Sequence, residues 1–529
     1  MTARRAGGAA YVAAGILLSR IFGLVRNRLL GHFLGTGDAG DAFSAAIRIP
    51  NILQNLFGEG VLSASFVPTY SRLLAEGNEE EAGRVAGAVG TLLALTSAVL
   101  VLVGIVLTPF AVALIAPGFT GEKRELTIRL VQVMFPGVGV LVLSAWALGV
   151  LNSHRRFFLP YASPVAMNLV MIGALLGFGP ALASQVDGPP RLAAILAWAS
   201  VLGSLAQFGV QLPTVLRADR RLRGSVDVTN RNVRMVLSQF APVFVGRGVV
   251  QLSAYVDNVL ASLVSSGAVA VLSYAQVITM LPVSLFGMSV SAAELPAMSG
   301  TVGRDDEVAS ILRRRLSDGL HRIAFYVIPS SMAFLAIGDI VGATLYQSGK
   351  FGRSDVVWMW SVLAGSAVGL LAGTLGRLYA STWYALRNAR TPLRFAVLRV
   401  ALTLALGWAA SLWLPGVLGL ESRWGVAGLT ASAGVAAWIE CALLRRSLAP
   451  RIGDVGVDRP YQVRLWSASL AAAGVAWGAK LVLGVTHPLL LGAVALPLYG
   501  ATYLAATAGM GIPEASAMAG RVTRLLGAR

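Results

Sequence analysis

The chain alternates between long apolar runs and short polar connections. Most of the runs reach the length of helix, about 20 residues, that crosses roughly 30 Å of hydrocarbon. Strands of a membrane barrel would be about 10 residues long with alternating polarity, so the runs predict α-helices. The pattern predicts about fourteen membrane-spanning helices, over residues 9–34, 42–74, 85–113, 127–151, 158–183, 191–216, 234–264, 268–298, 319–345, 355–385, 392–414, 425–447, 463–483 and 488–509.

The composition is that of an all-α polytopic membrane protein. Hydrophobic residues make up 56% of the 529 positions and charged residues 13%, where a soluble domain carries about 25% charged residues. A single cysteine, Cys441, excludes an internal disulfide, and four histidines beside it leave too few ligands for a structural zinc or haem site. We therefore expect no metal, no other cofactor and no catalytic centre.

The positions of the cations change the meaning of the net charge of +18. A nucleic-acid binder clusters its cations on one solvated face, whereas here they punctuate the apolar runs, so nucleic acid is not an expected partner. The two termini and alternate connections hold 28 of the 43 Lys and Arg residues, and the other connections hold 7. By the positive-inside rule, this distribution predicts a multi-pass protein of the cytoplasmic (inner) membrane with both termini in the cytoplasm. The first run is too long for a cleaved signal peptide and is predicted to be the first helix.

Eight further cations lie inside the predicted spans. An arginine near the bilayer centre costs a few kcal/mol, so it normally faces a partner, a water-filled cavity or the interface. Arg28 and Lys480 lie near span ends, from which their side chains are expected to reach the interface. Arg20 lies eleven residues into its span, at a depth of about 16 Å. The eight are Arg20, Arg26, Arg28, Arg48, Arg247, Arg377, Arg399 and Lys480.

The second span carries a polar stripe. Its members follow one another at steps of three and four residues, so they share one helical face that is not expected to contact lipid. With Arg20 and Arg26 on the first span, the cations outnumber the nearby acids Asp41 and Glu59, and the surplus predicts an anionic, phosphate-bearing ligand in a hydrated cleft. The alternative is that Glu59 and one arginine neutralise each other in a packed bundle. The stripe consists of Arg48, Asn51, Asn55, Glu59 and Ser63.

An internal repeat with an offset of 232 residues organises the spans. Pro50 and Pro282 both lie in the second helix of a hairpin, and Pro160 and Pro392 both open a helix after a basic turn. An offset of six spans keeps orientation and predicts two parallel six-helix lobes with the substrate between them. The prolines permit bends that would open and close a lobe. We predict an N-terminal lobe over 1–230, a C-terminal lobe over 231–450, and two additional helices with a cytoplasmic tail over 451–529.

Three functional classes fit such a chain: a flippase for a lipid-linked glycan, a drug or cation antiporter, and a lipid-phosphate transferase or scaffold. Neither a phosphate-binding Gly-x-x-x-x-Gly-Lys-Ser/Thr loop nor a His-Glu-x-x-His motif occurs, which argues against an ATP-driven pump or a metallo-hydrolase. A cation exporter would need acids in its cavity, whereas the first spans carry arginines. A transferase would need converging acids, and Glu59, Asp257, Glu294 and Glu440 are scattered along the chain.

Three motifs resemble the N-terminal signature of the MurJ/MviN family. They are Ser-Arg-Ile-Phe-Gly-Leu-Val-Arg ending at Arg26, Arg-Ile-Pro-Asn beginning at Arg48, and the glycine-rich segment 58–68. Members are lipid II flippases of the multidrug/oligosaccharidyl-lipid/polysaccharide exporter superfamily. The resemblance implies a monomeric transporter, not an enzyme. It would carry lipid II, the undecaprenyl-diphosphate-linked peptidoglycan precursor, from the inner to the outer leaflet, within membrane lipid, for cell-wall biogenesis and cell shape. Arg20, Arg26 and Arg48 would be its cavity arginines.

The chain departs from the family pattern at several cationic positions. Gln54 and Asn55 stand where many relatives have arginines, and Val277 stands where relatives have another. The resemblance therefore implies a rearranged cavity in which Arg247 or Arg377 takes over, or a relative that carries a different polyprenyl-linked glycan.

The coupling ion is a separate question. Of the positions that would form a sodium site in some relatives, only Asp257 has a charged ligand. We therefore interpret Asp257 either as a structural ion-pair partner of Arg247 or Arg377 or as a proton-sensitive coupling site. The driving force could be the membrane potential, a proton or a sodium ion. The other three positions of that site would be Thr403, Gly407 and Ala433.

Overall fold

The computed structural model describes residues 2–57, 62, 65–240, 255–299, 305–484 and 487–518. Within these ranges the chain is helical throughout and has no β-strand. Among the described residues, ten helices are long and apolar enough to cross a membrane, and an eleventh is counted if one bent pair forms a single span. The predicted all-α polytopic membrane fold is confirmed.

Three of the fourteen predicted spans fall outside that set. The first is one continuous helix from residue 2 to residue 34, and its arginines lower its hydropathy. The second, over 42–74, and the seventh, over 234–264, include residues outside the described ranges. The chain divides into two compact units, Met1–Ala270 (unit 1) and Val271–Arg529 (unit 2). The boundaries predicted at 230 and 450 stay a prediction.

In unit 1, the central helix is α5, which packs against α2, α4 and α8, while α7 packs against α8 and α1. Leu130, Val131 and Met134 on α5 are almost fully buried, so the core of this unit runs along that helix. The helices are α1 (Thr2–Leu34), α2 (Asp38–Phe57), α3 (Val67–Ala75), α4 (Glu79–Ile115), α5 (Gly121–Ser153), α6 (Phe158–Ala162), α7 (Pro164–Ala183), α8 (Gly188–Ala218) and α9 (Val256–Val264).

In unit 2, the corresponding central helix is α14, which packs against α12 and α17. Where α14 crosses α17, Gly369 and Gly434 lie so close that a Cβ on Gly369 would be 2.3 Å from the Cα of Gly434. Only glycine fits such a crossing. The helices are α10 (Ala268–Pro282), whose first turn precedes the unit boundary, α11 (Ser289–Ser299), α12 (Asp305–Ala336), α13 (Gly338–Tyr346), α14 (Arg353–Ala385), α15 (Arg390–Trp408), α16 (Leu414–Val417), α17 (Gly425–Ile452), α18 (Arg459–Leu483) and α19 (Pro488–Gly509).

The span predicted over 319–345 is broken rather than straight. Helices α12 and α13 meet at an angle of 83°. The break exposes backbone carbonyls that need donors in an apolar setting. Trp477 on α18 donates its indole N–H to the carbonyl of Ala336 at 2.6 Å, and Trp360 on α14 donates to that of Leu335 at 3.1 Å. Two tryptophans therefore stabilise the bend.

The 232-residue offset recurs in the backbone. Arg155 and Arg387 follow the ends of α5 and α14 and both have left-handed backbone angles, with φ of 59° and 57°. Gly35 and Gly267 share the same feature at the same offset. Pro282 ends α10 and is followed by a π-helical turn over Val283–Met288. Each unit therefore repeats the turn geometry of the other at equivalent positions.

Candidate functional site

Helix α1 holds Arg26 against the protein. One face of α1 packs on α6 and α7: a Cβ on Gly15 would lie 2.9 Å from the Cβ of Tyr161, and the Asn168 amide donates to the carbonyl of Ser19 at 3.4 Å. Helical spacing places Arg26 on the same face as Ser19. Its side chain is half-buried and donates to Oδ1 of Asn27 at 3.3 Å. This arginine is therefore fixed inside unit 1.

Arg20 lies on the open side of α1. It is exposed, as are its neighbours Leu17 and Ile21. Within the described ranges, its guanidinium makes no hydrogen bond or ion pair with another side chain. Arg28 is half-buried.

Helix α2 has two distinct faces. Ala42, Phe43 and Ala46 are buried, and α2 packs against α5. Arg48 and Asn51 are half-buried on the polar stripe predicted from the sequence. Asn55 continues the stripe within α2, although its side chain is not described, and Glu59 and Ser63 lie outside the described residues.

The structure brings Arg48 and Asp257 together. The Tyr255 hydroxyl donates to the carbonyl oxygen of Arg48 at 3.3 Å. Asp257, in the first turn of α9, is near enough for its charge to interact with that of Arg48. The sequence analysis paired Asp257 with Arg247 or Arg377, and Arg247 lies outside the described residues. The neighbour found for Asp257 is instead a member of the polar stripe.

Asp41 is a helix cap rather than a counter-ion for the stripe. Its side chain is fully buried and accepts the backbone N–H groups of Gly267 at 2.7 Å and Ala270 at 2.8 Å. Lys123 forms an ion pair with the same carboxylate. These N–H groups belong to the first turn of α10, whose orphan donors a carboxylate satisfies well. The expectation that Asp41 faces the arginines is therefore replaced by a cap that links α2 to the start of α10.

Two further contacts surround this cap. Lys123 also lies 3.1 Å from Asp38, which accepts the Ser266 hydroxyl at 2.5 Å. These hydrogen bonds to the charged form, above all that from Ser266, lower the pKa of Asp38. The cap and its surroundings thus join three connections of unit 1 on one side of its helices.

The opposite end of unit 1 holds a second polar cluster. The buried Tyr70 hydroxyl donates to Oδ2 of Asp219 at 2.9 Å and lies 2.9 Å from Nε2 of His154. Because the tyrosine proton goes to Asp219, Nε2 of His154 must carry the proton of the second bond. Burial lowers the pKa of His154, against the opposing effect of Asp219. The cluster joins α3 to the ends of α5 and α8.

In unit 2, Asp339 pairs with two cations. Its side chain is 2% exposed, and it lies 2.5 Å from Nζ of Lys480 and 3.5 Å from Arg353. Lys480 also lies 4.4 Å from the centre of the Trp477 ring. The expectation that Lys480 simply reaches the interface is wrong, because its ammonium is bound within unit 2. Asp339 was missed as a span acid, although Gly338 and Asp339 interrupt an apolar run.

The other acids within spans of unit 2 are also paired. Glu294 lies 3.4 Å from Arg315 and 3.9 Å from Arg322, and Glu440 lies 3.1 Å from Arg399. These carboxylates therefore belong to ion pairs and do not converge as acids for transferase chemistry. Across the described residues, no group of three His, Cys, Asp or Glu side chains is arranged to hold a metal.

The chain is similar to one group of transporters along most of its length. A family model described as lipid II flippase MurJ matches residues 30–501. The lipid II flippase MurJ of Burkholderia cenocepacia is 31% identical over 472 residues, which cover 87% of each chain. The probable lipid II flippase MurJ of Rhizobium tropici is 31% identical over 400 residues, or 75% of this chain and 73% of the relative.

Two solved structures have a similar fold. A lipid II flippase MurJ in an inward closed conformation matches with a TM-score of 0.74 at 21% identity, covering 94% of this chain and 98% of the other. An inward-facing multidrug resistance transporter of the MATE family and MOP superfamily matches with a TM-score of 0.64 at 15% identity, covering 82% and 95%. At these identities, the likeness concerns the fold alone.

Proposed function

Because this chain belongs to the lipid II flippase MurJ family, we propose that it moves lipid II from the inner to the outer leaflet of the cytoplasmic membrane. The family expected from the N-terminal motifs is thereby confirmed. The protein is a transporter rather than an enzyme, and its cargo is the polyprenyl-diphosphate-linked precursor of peptidoglycan.

The physical task of such a flippase is to carry a charged headgroup through hydrocarbon. The polyprenyl tail can stay in lipid, while an unpaired diphosphate in the membrane interior would cost several kcal/mol or more. A hydrated cationic cleft removes that barrier because arginine forks bind phosphate oxygens in pairs. Arg26 and Arg48, both half-buried on membrane helices of unit 1, carry the proposal.

We assign the headgroup site to Arg20, Arg26 and Arg48 with the polar stripe of α2. Arg20 is exposed and without a protein partner in the described ranges, so it is available to a ligand. Arg48 has Asp257 nearby, and a diphosphate would compete with that acid for the guanidinium. Asn51 and Asn55 supply neutral donors beside the charge, and Glu59 and Ser63 extend the stripe in sequence.

The Asp41 cap supports a role in closure on the outer side. Asp41 links α2 to the first turn of α10, so opening between these two segments breaks two hydrogen bonds and exposes Lys123. Such a cap favours the closed arrangement until binding of the headgroup favours another. Closing and opening of the outer side would then depend on a contact that a single acid controls.

We also propose the orientation predicted from the positive-inside rule, with both termini in the cytoplasm. Asp38, Lys123 and Ser266 come from three connections that meet on one side of unit 1. Tyr70 and Asp219 lie at the other ends of these helices. This alternation supports the assignment of the first group to the outer side. A membrane potential that is negative inside would then favour outward movement of an anion by about 2.3 kcal/mol per charge per 100 mV.

The decisive experiment measures flipping directly. The purified protein in proteoliposomes should transfer fluorescent lipid II between leaflets, and its gene should restore growth when a resident lipid II flippase is depleted. A parallel assay with an undecaprenyl-diphosphate-linked oligosaccharide separates the alternative cargo. Transfer of the oligosaccharide without transfer of lipid II would overturn the choice of cargo. Transfer of neither would overturn the proposed function.

A further inference from the structure

Three membrane helices of unit 2 bring two arginines and one acid together. Arg399 on α15 donates from Nη1 to Oε2 of Glu440 on α17 at 3.1 Å. Arg377 on α14 is near enough for its charge to interact with both. The neighbouring residues give the same level, since a Cβ on Gly376 would lie 3.9 Å from the Cβ of Cys441. The three charged groups therefore form one cluster.

The cluster has more positive than negative charge. Glu440 is engaged by Arg399, and their side chains are 15% and 42% exposed. Arg377 is exposed, and in the part of the chain that the structure describes its guanidinium has no hydrogen bond or ion pair. Its position is eight residues before the end of α14 at Ala385, or about 12 Å along the helix. An unpaired arginine at that depth is costly unless an anion or water reaches it.

We infer that Arg377 and Arg399 form a binding site for a phosphate group in unit 2, with Glu440 holding Arg399 while the site is empty. Two planar guanidinium groups present several N–H donors that match the oxygens of a phosphate. Arrival of a phosphate gives Arg377 its missing anion and competes with Glu440 for Arg399. The site is distinct from the arginines of α1 and α2, which belong to unit 1.

The phosphate can come from two lipids of the same chemistry. One is the diphosphate of a polyprenyl-linked cargo, and this source rests on the proposed function. The other is the headgroup of an anionic phospholipid in the leaflet that faces this end of α14. In both cases, the exposed Arg377 meets the phosphate and the Glu440 carboxylate is the competitor.

The first test measures binding of inorganic pyrophosphate to the purified full-length protein by calorimetry. An Arg26→Ala, Arg48→Ala background removes the site proposed in unit 1. In that background, Arg377→Ala should weaken binding roughly 10-fold to 100-fold, the effect of losing a hydrogen bond to a charged group. Glu440→Gln should tighten it, because the competing charge is gone. Arg394→Ala, an exposed arginine on α15, is the matched control and should leave the affinity unchanged.

Unchanged pyrophosphate affinity in Arg377→Ala would overturn the inference. Weakening of the same size in Glu440→Gln and Arg377→Ala would also overturn it, because the acid would then support the site rather than compete for it. Thermal unfolding of each variant identifies protein that has simply lost its fold. Rescue of binding by Arg377→Lys would support a direct role for the charge.

The second test distinguishes the two sources. Nanodiscs are prepared from phosphatidylcholine alone or with phosphatidylglycerol, and native mass spectrometry counts the lipid retained. Retention of phosphatidylglycerol that is lost in Arg377→Ala identifies a phospholipid, whereas displacement of pyrophosphate by farnesyl diphosphate in phosphatidylcholine alone identifies a polyprenyl diphosphate. Failure of both probes overturns the site. If Arg377-dependent binding persists in a protein that flips no lipid II, only the proposed function fails.

Discussion

Asp41 on α2 accepts the backbone N–H of Ala270 on α10 at 2.8 Å, so a side chain of one helix caps the first turn of another. The contact is buried and charged, which makes its loss expensive on both sides: the α10 donors lose their acceptor and Lys123 loses its counter-ion. A single residue therefore connects the outer ends of two helices.

Asp41→Ala should destabilise the protein by about 1–3 kcal/mol or more, because buried donors and a cation are left unpaired. Thermal unfolding in detergent measures the effect. Asp38→Ala is the matched control, since Asp38 pairs with the same lysine but its side chain is 66% exposed, and its effect should stay near 0.5 kcal/mol, as is typical at exposed sites. Equal shifts for the two variants would contradict the assignment of Asp41 as the cap.

Arg26→Ala should reduce lipid II flipping about 10-fold or more, as expected when a charge-assisted contact is removed. The folded amount in the membrane should change little, because a cation held inside a helix bundle contributes little to packing. We expect the same direction for Arg20→Ala and a smaller effect for Arg28→Ala. The measurement is initial flipping rate at matched protein content. Parent-like flipping by the Arg26 variant would refute its role in the headgroup site.

Asp257→Asn separates a structural from a coupling role. The substitution keeps shape but removes the charge that lies near Arg48. If the acid serves as a structural counter-ion, the variant should lose thermal stability because Arg48 loses a partner charge. If it is a coupling site, stability should stay and flipping should fall. Flipping rate and melting temperature measured on the same preparation decide between them. Sodium-dependent flipping at constant ionic strength, lost in the variant, would instead establish a sodium site.

Tyr70→Phe should cost about 1–3 kcal/mol of stability, because the buried Asp219 loses a hydrogen-bond donor and His154 loses its acceptor. Tyr11→Phe is the control, since Tyr11 is 60% exposed. The difference in unfolding temperature between the two variants measures the value of the cluster. Identical melting curves would indicate that the hydroxyl network is not stabilising.

Acidification should weaken the same cluster. Since burial lowers the pKa of His154 in the folded protein, the unfolded chain takes up the proton first. The stability that comes from neutral His154 is therefore present above about pH 6.5, the ordinary value for histidine, and falls as pH decreases through that value toward the folded one. Unfolding temperatures between pH 7.5 and pH 5 should show this slope, and His154→Gln should flatten it. A parent-like slope in the variant would exclude His154 as its source.

The extent of the helices follows closely from the apolar pattern. The last two spans, predicted over 463–483 and 488–509, match α18 (Arg459–Leu483) and α19 (Pro488–Gly509). This agreement has a simple cause, because the bilayer demands a minimum apolar length and the connections carry the charges. The repeat was also visible, since prolines at helix starts and bends retain their spacing.

The partners of the charged residues could not be predicted in the same way. Asp339 and Lys480 are 141 residues apart, so no local spacing relates them. The ligands of Asp41 are backbone N–H groups of residues 267 and 270, which have no sequence signature at all. Within spans, a charge signals that a partner must exist, while tertiary packing decides which one it is.

The break between α12 and α13 has a consequence for the biogenesis of unit 2. During translation, Asp339 enters the membrane well before Lys480 is synthesised, 141 residues later, and an unpaired acid at the membrane centre costs about 2.5–3.5 kcal/mol on insertion scales. The carbonyl of Ala336 likewise waits for the indole of Trp477. A nascent chain that stops before α18 therefore presents an unfinished helix break to the quality-control proteases. The two C-terminal helices are the last step of assembly for unit 2, not an accessory added to a finished lobe.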